Sequence, residues 1–293
     1  MTFLLLAILM NIAIFVLFRI FPQLNINRFQ AIVINYVVCV ITGISLTGLS
    51  AFSSVTLQEP WIPFSVALGF IFIGTFYSMA LTTEFFSITV SSVASKISLA
   101  IPVLFALFIF DIESKQFDIW NYLGLILSVV AIYLSSSSQK MSYTGKAGWY
   151  FFLPVIVFIM GGIIDTMINF VSFKYLSPED VSIFPVFIFM TAATIGIVAL
   201  TLKKTRLTIR NIMGGIILGV VNYFSVYFII KTLSFFQNDG AMVFPLMNMG
   251  IILGSMFISL LFFAEKLNWK KSLGIAIAFL AIYLISYQEI LTL

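Results

Sequence analysis

The sequence predicts an all-α integral membrane protein of ten transmembrane helices, arranged as two inverted five-helix repeats. Three observations carry this: the hydropathy, ten apolar stretches of spanning length, and an internal repeat whose loop charges change bias. Of 293 residues, 61% are hydrophobic and 9% charged, and the mean hydropathy is +1.15. Soluble domains carry about 25% charged residues. A soluble fold has no way to hide this much apolar surface, so lipid is the solvent for most of the chain. The net charge of +4 is small and scattered. With no basic stripe, nucleic acid is excluded as a partner. The single cysteine, Cys39, lies in an apolar run, so an internal disulfide is impossible and a packing role is expected. The sequence has no histidine, which removes the usual metal ligand and the usual neutral-pH proton shuttle. No metal or other cofactor is expected.

A spanning helix needs about 20 apolar residues. Such stretches fall near 2–21, 29–49, 61–82, 88–110, 118–137, 148–172, 180–202, 211–233, 240–263 and 268–288. The first, "MTFLLLAILMNIAIFVLF", lacks a basic leader and a small-residue cleavage site, so it reads as a spanning helix and not a signal peptide. The breaks carry turn and charge signals: "PQLNIN", "SSVTLQEP", "DIESKQFD", "SSSSQKMSYTGK", "KYLSPED", "KKTRLTIR" and "EKLNWKK". A backbone inside a bilayer must satisfy its own hydrogen bonds, which at this hydropathy favours helices.

"LGLILSVVAIYLSS" (123–136) matches "LGIAIAFLAIYLIS" (273–286) at a shift of 150. The same shift aligns Leu68-Gly69 with Leu218-Gly219, Tyr77 with Tyr227, and Phe85-Phe86 with Phe235-Phe236. About 15 of some 70 pairs are identical across this register, without gaps, the weak kind of signal that transporter repeats give. Glu113 and Glu265, which end helices 4 and 9, break the register at a spacing of 152. The repeats are residues 1–140 and 141–293. Five is odd, so the second half enters from the opposite side, and the pseudo-two-fold axis lies in the membrane plane. The loops agree. Loop 2–3 has no Lys or Arg, while loop 7–8 has Lys203, Lys204, Arg206 and Arg210. Loop 4–5 is acidic (Asp111, Glu113, Asp118), while loop 9–10 holds Lys266, Lys270 and Lys271. The odd loops also carry Arg19, Arg28, Lys140 and Lys146; the even ones only Lys115, Lys174 and Lys231. The positive-inside rule places the odd loops in the cytoplasm and both termini outside the cell membrane.

Ten helices in inverted halves resemble the drug/metabolite transporter superfamily, in particular its EamA-type branch. Locally, "IPVLFALFIFDIES" precedes "NYLGLIL", and "NMGIILGSMFISLLFFAEKL" precedes "KSLGIAI". These match the family's apolar run, acidic residue and following Gly. The resemblance covers nearly the whole chain, and its loose motifs specify the fold better than the substrate. It implies a central cavity lined by helices 1–4 and 6–9, with helices 5 and 10 outside it. It also implies alternating access, often for export of metabolites or amino acids. Family members usually keep both termini in the cytoplasm; the loop charges here predict the opposite.

Within the membrane, Lys96 lies about eight residues into helix 4, roughly 12 Å deep. A lysine snorkels about half that distance. Thr89, Ser92 and Lys96 share a face, and Pro102 loosens the helix below it, freeing a carbonyl. An ammonium facing lipid there costs about 2.5–3.5 kcal/mol. Lys96 therefore either binds a carboxylate or phosphate of the substrate, with Ser92 beside it, or is a snorkelling or paired structural lysine. In helix 6, Gly161, Asp165, Asn169 and Ser172 form a polar stripe. Asp165, with Asn169, is a candidate proton carrier, an ion-pair partner or a ligand for a substrate amine. The depths put Asp165 nearer the face opposite Lys96, so direct pairing is not expected. Asn11, Asn35, Asn222 and Asn248 fall on helices that the resemblance places around the cavity. Each buried amide needs a partner, either substrate or another helix. In "FPLMNMG" (244–250), Pro245 leaves a helix 9 carbonyl without its donor beside Asn248, which singles that stretch out. Tyr36, Tyr77 and Tyr223 are candidate cavity residues. The tryptophans (Trp61, Trp120, Trp149, Trp269) sit near helix ends, as belt residues do, and Glu84 reads as interfacial. "GIILG" at 215–219 and 250–254 has the spacing of close helix packing.

The leading reading is a secondary transporter of a small polar or amphipathic metabolite, such as an amino acid or organic acid, working by alternating access. A flippase or carrier for a lipid-linked intermediate is the alternative. An integral-membrane enzyme ranks below both: clustered carboxylates, a nucleophile context and metal-ligand spacing are lacking. The sequence has no GxxxxGK[ST] motif and so no ATPase of that type of its own. The expected partners are a small-molecule solute and the bilayer; a proton as coupling ion and a second copy in a homodimer stay open.

Overall fold

The computed structural model of the chain describes residues 2–56, 58–102, 118–136, 148–177, 179–203, 206–236 and 240–288. Among these the chain is helical, with no strand. The α-helices are α1 (Thr2–Ile20), α2 (Arg28–Thr47), α3 (Ile62–Phe85), α4 (Ile88–Ile97), α5 (Ile119–Ser136), α6 (Leu153–Lys174), α7 (Phe184–Leu202), α8 (Ile209–Phe235), α9 (Gly240–Phe263) and α10 (Trp269–Ile285). Among the described residues eight segments are long and apolar enough to cross a membrane, and Ile88–Pro102 is a shorter apolar helix. The protein is a multi-pass membrane protein.

Local chemistry sets the boundaries. Asn27 caps α2 through Gln30 N, Ser87 caps α4 through Val90 N, and Asn268 caps α10 through Lys271 N. Pro63, Pro154 and Pro185 open α3, α6 and α7 at positions where a missing N–H costs nothing. Short 3-10 turns at Gly148–Phe152 and Asp180–Ser182 precede α6 and α7, so these helices begin later than the hydropathy implies. The regular part of α4 ends at Ile97. Ser98 and Leu99 form a turn, and Ile101 N donates to Ser98 O at 2.9 Å. Pro102 has no N–H to offer that same carbonyl, which explains the break. Pro245, by contrast, sits inside α9 without ending it.

The tightest seam joins α5 to α10. There Gly124 lies against Ala281 O and Ile285, and Gly274 against Ala131 O and Ser135. Gly215 and Gly219 bring α8 onto α2 at Ala31, Ile34, Asn35 and Val38, while Gly69 brings α3 onto α7 at Thr191 and Ala192. Gly250 and Gly254 seat α9 on Ile8 and Ile12 of α1. Small residues let helices approach closely where lipid supplies no hydrophobic drive. The further pairs are α1 with α8, α3 with α6, α1 with α9, α4 with α6, α2 with α7 and α4 with α9. On α5, Ile119, Leu123, Ile126, Val129 and Tyr133 stay exposed, an apolar face that lipid covers.

Trp120, Trp149 and Trp269 are exposed, as belt residues are. Trp61 is not one of them. It is fully buried, edge-on to Phe184 and Phe187, and knits α3 to α7. The expectations for helix 4 beyond Pro102, and for Asp111, Glu113, Lys115, Lys140, Lys146 and Lys204, lie outside the described residues.

Candidate functional site

The last turn of α4 holds Lys96, and the break just after it holds Ser98. Lys96 Nζ donates to Asn11 Oδ1 of α1 at 3.1 Å. Asn11 is oriented by its own Nδ2, which donates to Ala7 O at 2.9 Å. Asn248 of α9 donates through Nδ2 to the Lys96 carbonyl at 3.1 Å. The two asparagines thus hold the lysine from both sides, one at the head and one at the backbone.

Asp165 of α6 stands next to this point. Ser98 Oγ donates to Asp165 Oδ2 at 3.4 Å and to Ser95 O at 2.6 Å. Gly161, one helical turn from Asp165, lets α6 come this close: a Cβ there would sit 3.1 Å from Ser98 Oγ. Lys96 and Asp165 lie within each other's electrostatic reach. They are nevertheless no ion pair; among the described residues the ion pairs are Arg28–Glu84 and Lys271–Glu265. Asp165 is exposed and lies well inside α6, while Lys96, in the last turn of α4, is half-buried.

This corrects the expectation that Asp165 lies toward the face opposite Lys96. That depth was counted from residue 148, whereas α6 starts at Leu153, after the 3-10 turn. The shift brings Asp165 level with Ser98.

The other candidates divide. Lys96, Asn11 and Asn248 come together with Asp165. Ser92 is fully buried and its Oγ donates to Thr89 O at 3.0 Å, inside α4. Pro245 is buried in α9, a turn before Asn248. Asn35 and Asn222 pair with each other (Asn222 Nδ2 to Asn35 Oδ1, 3.1 Å) beside buried Cys39, at the α2–α8 seam. They act as interhelical glue, and nothing ties them to Lys96. Tyr77 is 37% exposed and edge-on to Phe29. It lines a separate crevice of about 220 Å³ with Arg28 and Lys203. Tyr36 is buried, with its hydroxyl on Phe72 O at 2.9 Å. The side chain of Asn169 lies outside the described residues.

Sequence reasoning missed a second charged group. Lys271, counted as a loop cation, is 1% exposed, and it pairs with Glu265, whose side chain is 7% exposed. Thr89 Oγ1 donates to Glu265 Oε2 at 3.1 Å, and Lys271 Nζ donates to Ser87 Oγ at 3.0 Å. A signal existed. Asn268 is an N-cap, which puts Lys271 in the first turn of α10, where the helix dipole disfavours a cation.

No family model matches the chain. A crystal structure described as "Crystal structure of protein" has a TM-score of 0.57 over 96% of this chain and 98% of that one, at 13% identity. That likeness concerns the fold alone. An "Uncharacterized protein" of Haemophilus influenzae is 32% identical over 294 residues, covering 97% of both chains. At that identity and coverage, this chain belongs to the same family as the Haemophilus influenzae protein.

Proposed function

We propose that the protein is a secondary transporter of a small polar or amphipathic metabolite, such as an amino acid or organic acid, of the EamA-type drug/metabolite transporter kind. One observation carries the reading. A lysine and a carboxylate from different helices, neither fully covered by protein, stand near each other without forming an ion pair. Two opposite charges that close only attract; held apart, they leave room for a solute between them. Lys96 takes a carboxylate or phosphate, anchored by Asn11 and Asn248, and Asp165 takes an amine or carries a coupling proton.

The architecture of this proposal is ten helices in two inverted five-helix repeats, residues 1–140 and 141–293. The packing supports it. Advancing every helix number by five turns α2–α8 into α7–α3, α1–α8 into α6–α3 and α1–α9 into α6–α4, all of which are packed pairs. At the shift of 150, Gly124 on Ala281 becomes Gly274 on Ala131, each meeting the other's counterpart. The N-caps Asp118 and Asn268 correspond as well. Loop charges favour the cell membrane with both termini outside. The break in α4 beside the lysine is the kind of discontinuous helix that transporters place at their binding sites.

The test is counterflow in proteoliposomes loaded with amino acids, organic acids or amines. A transporter gives saturable exchange of an unchanged solute. Exchange of lipid only would instead make the protein a flippase, and chemical conversion of the solute would make it an enzyme.

A further inference from the structure

The contact at the start of α4 has features that a merely solvated helix end lacks. Glu265 and Lys271 are buried, and Lys271 Nζ and Thr89 Oγ1 cross from one half of the chain to the other. The α3–α4 corner is gripped from the other side as well. Arg19 of α1 donates to Glu84 O at 3.0 Å and Thr83 O at 3.3 Å, at the carboxyl end of α3, and Arg28 of α2 pairs with Glu84. Arg19 is near enough to repel Lys271.

The backbone is strained at the same point. Ala264, between the end of α9 and Glu265, has φ 49°. This left-handed conformation normally falls to glycine after a helix and costs an alanine energy. It turns the chain so that Glu265 N reaches Ser259 O at 3.2 Å and the carboxylate faces Thr89. Backbone strain of this kind clusters at switch regions and clamps.

Thr89, Ser92 and Lys96 lie along one face of α4, so this contact stands directly between Lys96 and the near end of the bundle. We propose that Glu265 and Lys271, closed on Ser87 and Thr89, are the gate of this membrane face, which opens and re-forms once per transport cycle. The proposal rests on the transporter reading. The occluding contact joins the two halves of the chain, so their relative movement breaks it. The residues are gating residues and do not touch the solute.

The experiment uses the full chain in a Cys39→Ala background with Ser95→Cys as reporter. Ser95 is half-buried and adjoins Lys96. A membrane-impermeant maleimide is applied from either side of oriented vesicles. With the gate intact, the reporter reacts from the far face only. The E265Q/K271M pair raises labelling from the gate face at least tenfold, and Thr89→Val, which removes one hydrogen bond, raises it less. If the double variant is folded, still labels from the far face and gains nothing at the gate face, the gate is overturned and the transporter reading stands. If the reporter labels from neither face in any variant, no aqueous path reaches Lys96; the transporter reading falls, and the gate with it.

Discussion

Lys96 with Asp165 and Lys271 with Glu265 bring the same two charges into the same bundle, and their surroundings are opposite. The first pair is only partly covered by protein and held apart, each member on a neutral partner, Asn11 or Ser98. The second is buried and in contact, with Ser87 and Thr89 filling remaining hydrogen-bonding positions. A buried pair is costly to disrupt because the survivor is left as an uncompensated charge. A separated pair on neutral partners has less such dependence, and its charges are not consumed by each other. In the proposed transporter, closure belongs to one and recognition to the other.

The largest expected effect breaks that contrast at the buried pair. Lys271→Met leaves Glu265 alone in a dry site and lowers stability by about 3–5 kcal/mol. Lys96→Met changes stability by less than about 1 kcal/mol. Thermal unfolding of both in one detergent checks this, and equal losses would erase the distinction between the pairs. The next effect separates the asparagines. Asn248→Ala and Asn35→Ala each leave a buried partner unsatisfied and cost about 1–3 kcal/mol. Only Asn248→Ala, which frees the Lys96 backbone, also weakens solute binding, as titration of the two variants would reveal. Smaller still, Ala264→Gly relieves the left-handed strain and raises stability by about 1 kcal/mol in the same unfolding assay.

The smallest effect lies outside the spanning helices. The Tyr287 hydroxyl, donating to the Asp118 carboxylate, holds the Asp118 pKa below the ordinary carboxylate range. A depressed carboxylate stabilises the fold above its unfolded pKa, and that contribution disappears as pH falls through the folded value. Asp118→Asn is therefore slightly less stable than the parent near neutral pH, and the difference vanishes in acid. A difference that grew in acid would contradict the assignment.

Much of the fold was legible because it follows from apolar length and from caps. The ends of α1, α2, α9 and α10 fall within a few residues of the hydropathy limits, and Pro102 announced the break in α4. The start of α6 was not legible, since apolar residues 148–152 serve a 3-10 turn as well as a helix. Those five residues misplaced Asp165. Lys96, Asn11 and Asn248 were readable as polar groups too deep for lipid. That Asn35 and Asn222 choose each other was not, because an amide's partner depends on the neighbouring helix. Lys271 was read as a loop cation because burial of one lysine among three is a matter of packing.

The most direct measurement is a thermal-shift comparison of wild type, Lys96→Gln and Asp165→Asn against solutes with a carboxylate, an amine or both. Saturating ligand at one hundred times its dissociation constant stabilises by about 2.7 kcal/mol. At least one carboxylate-bearing solute is expected to stabilise wild type, and folded Lys96→Gln to lose the response. Solutes that also carry an amine lose their extra stabilisation in Asp165→Asn. Equal shifts in all three proteins would contradict this, leaving Lys96 and Asp165 as structural charges and placing the solute elsewhere.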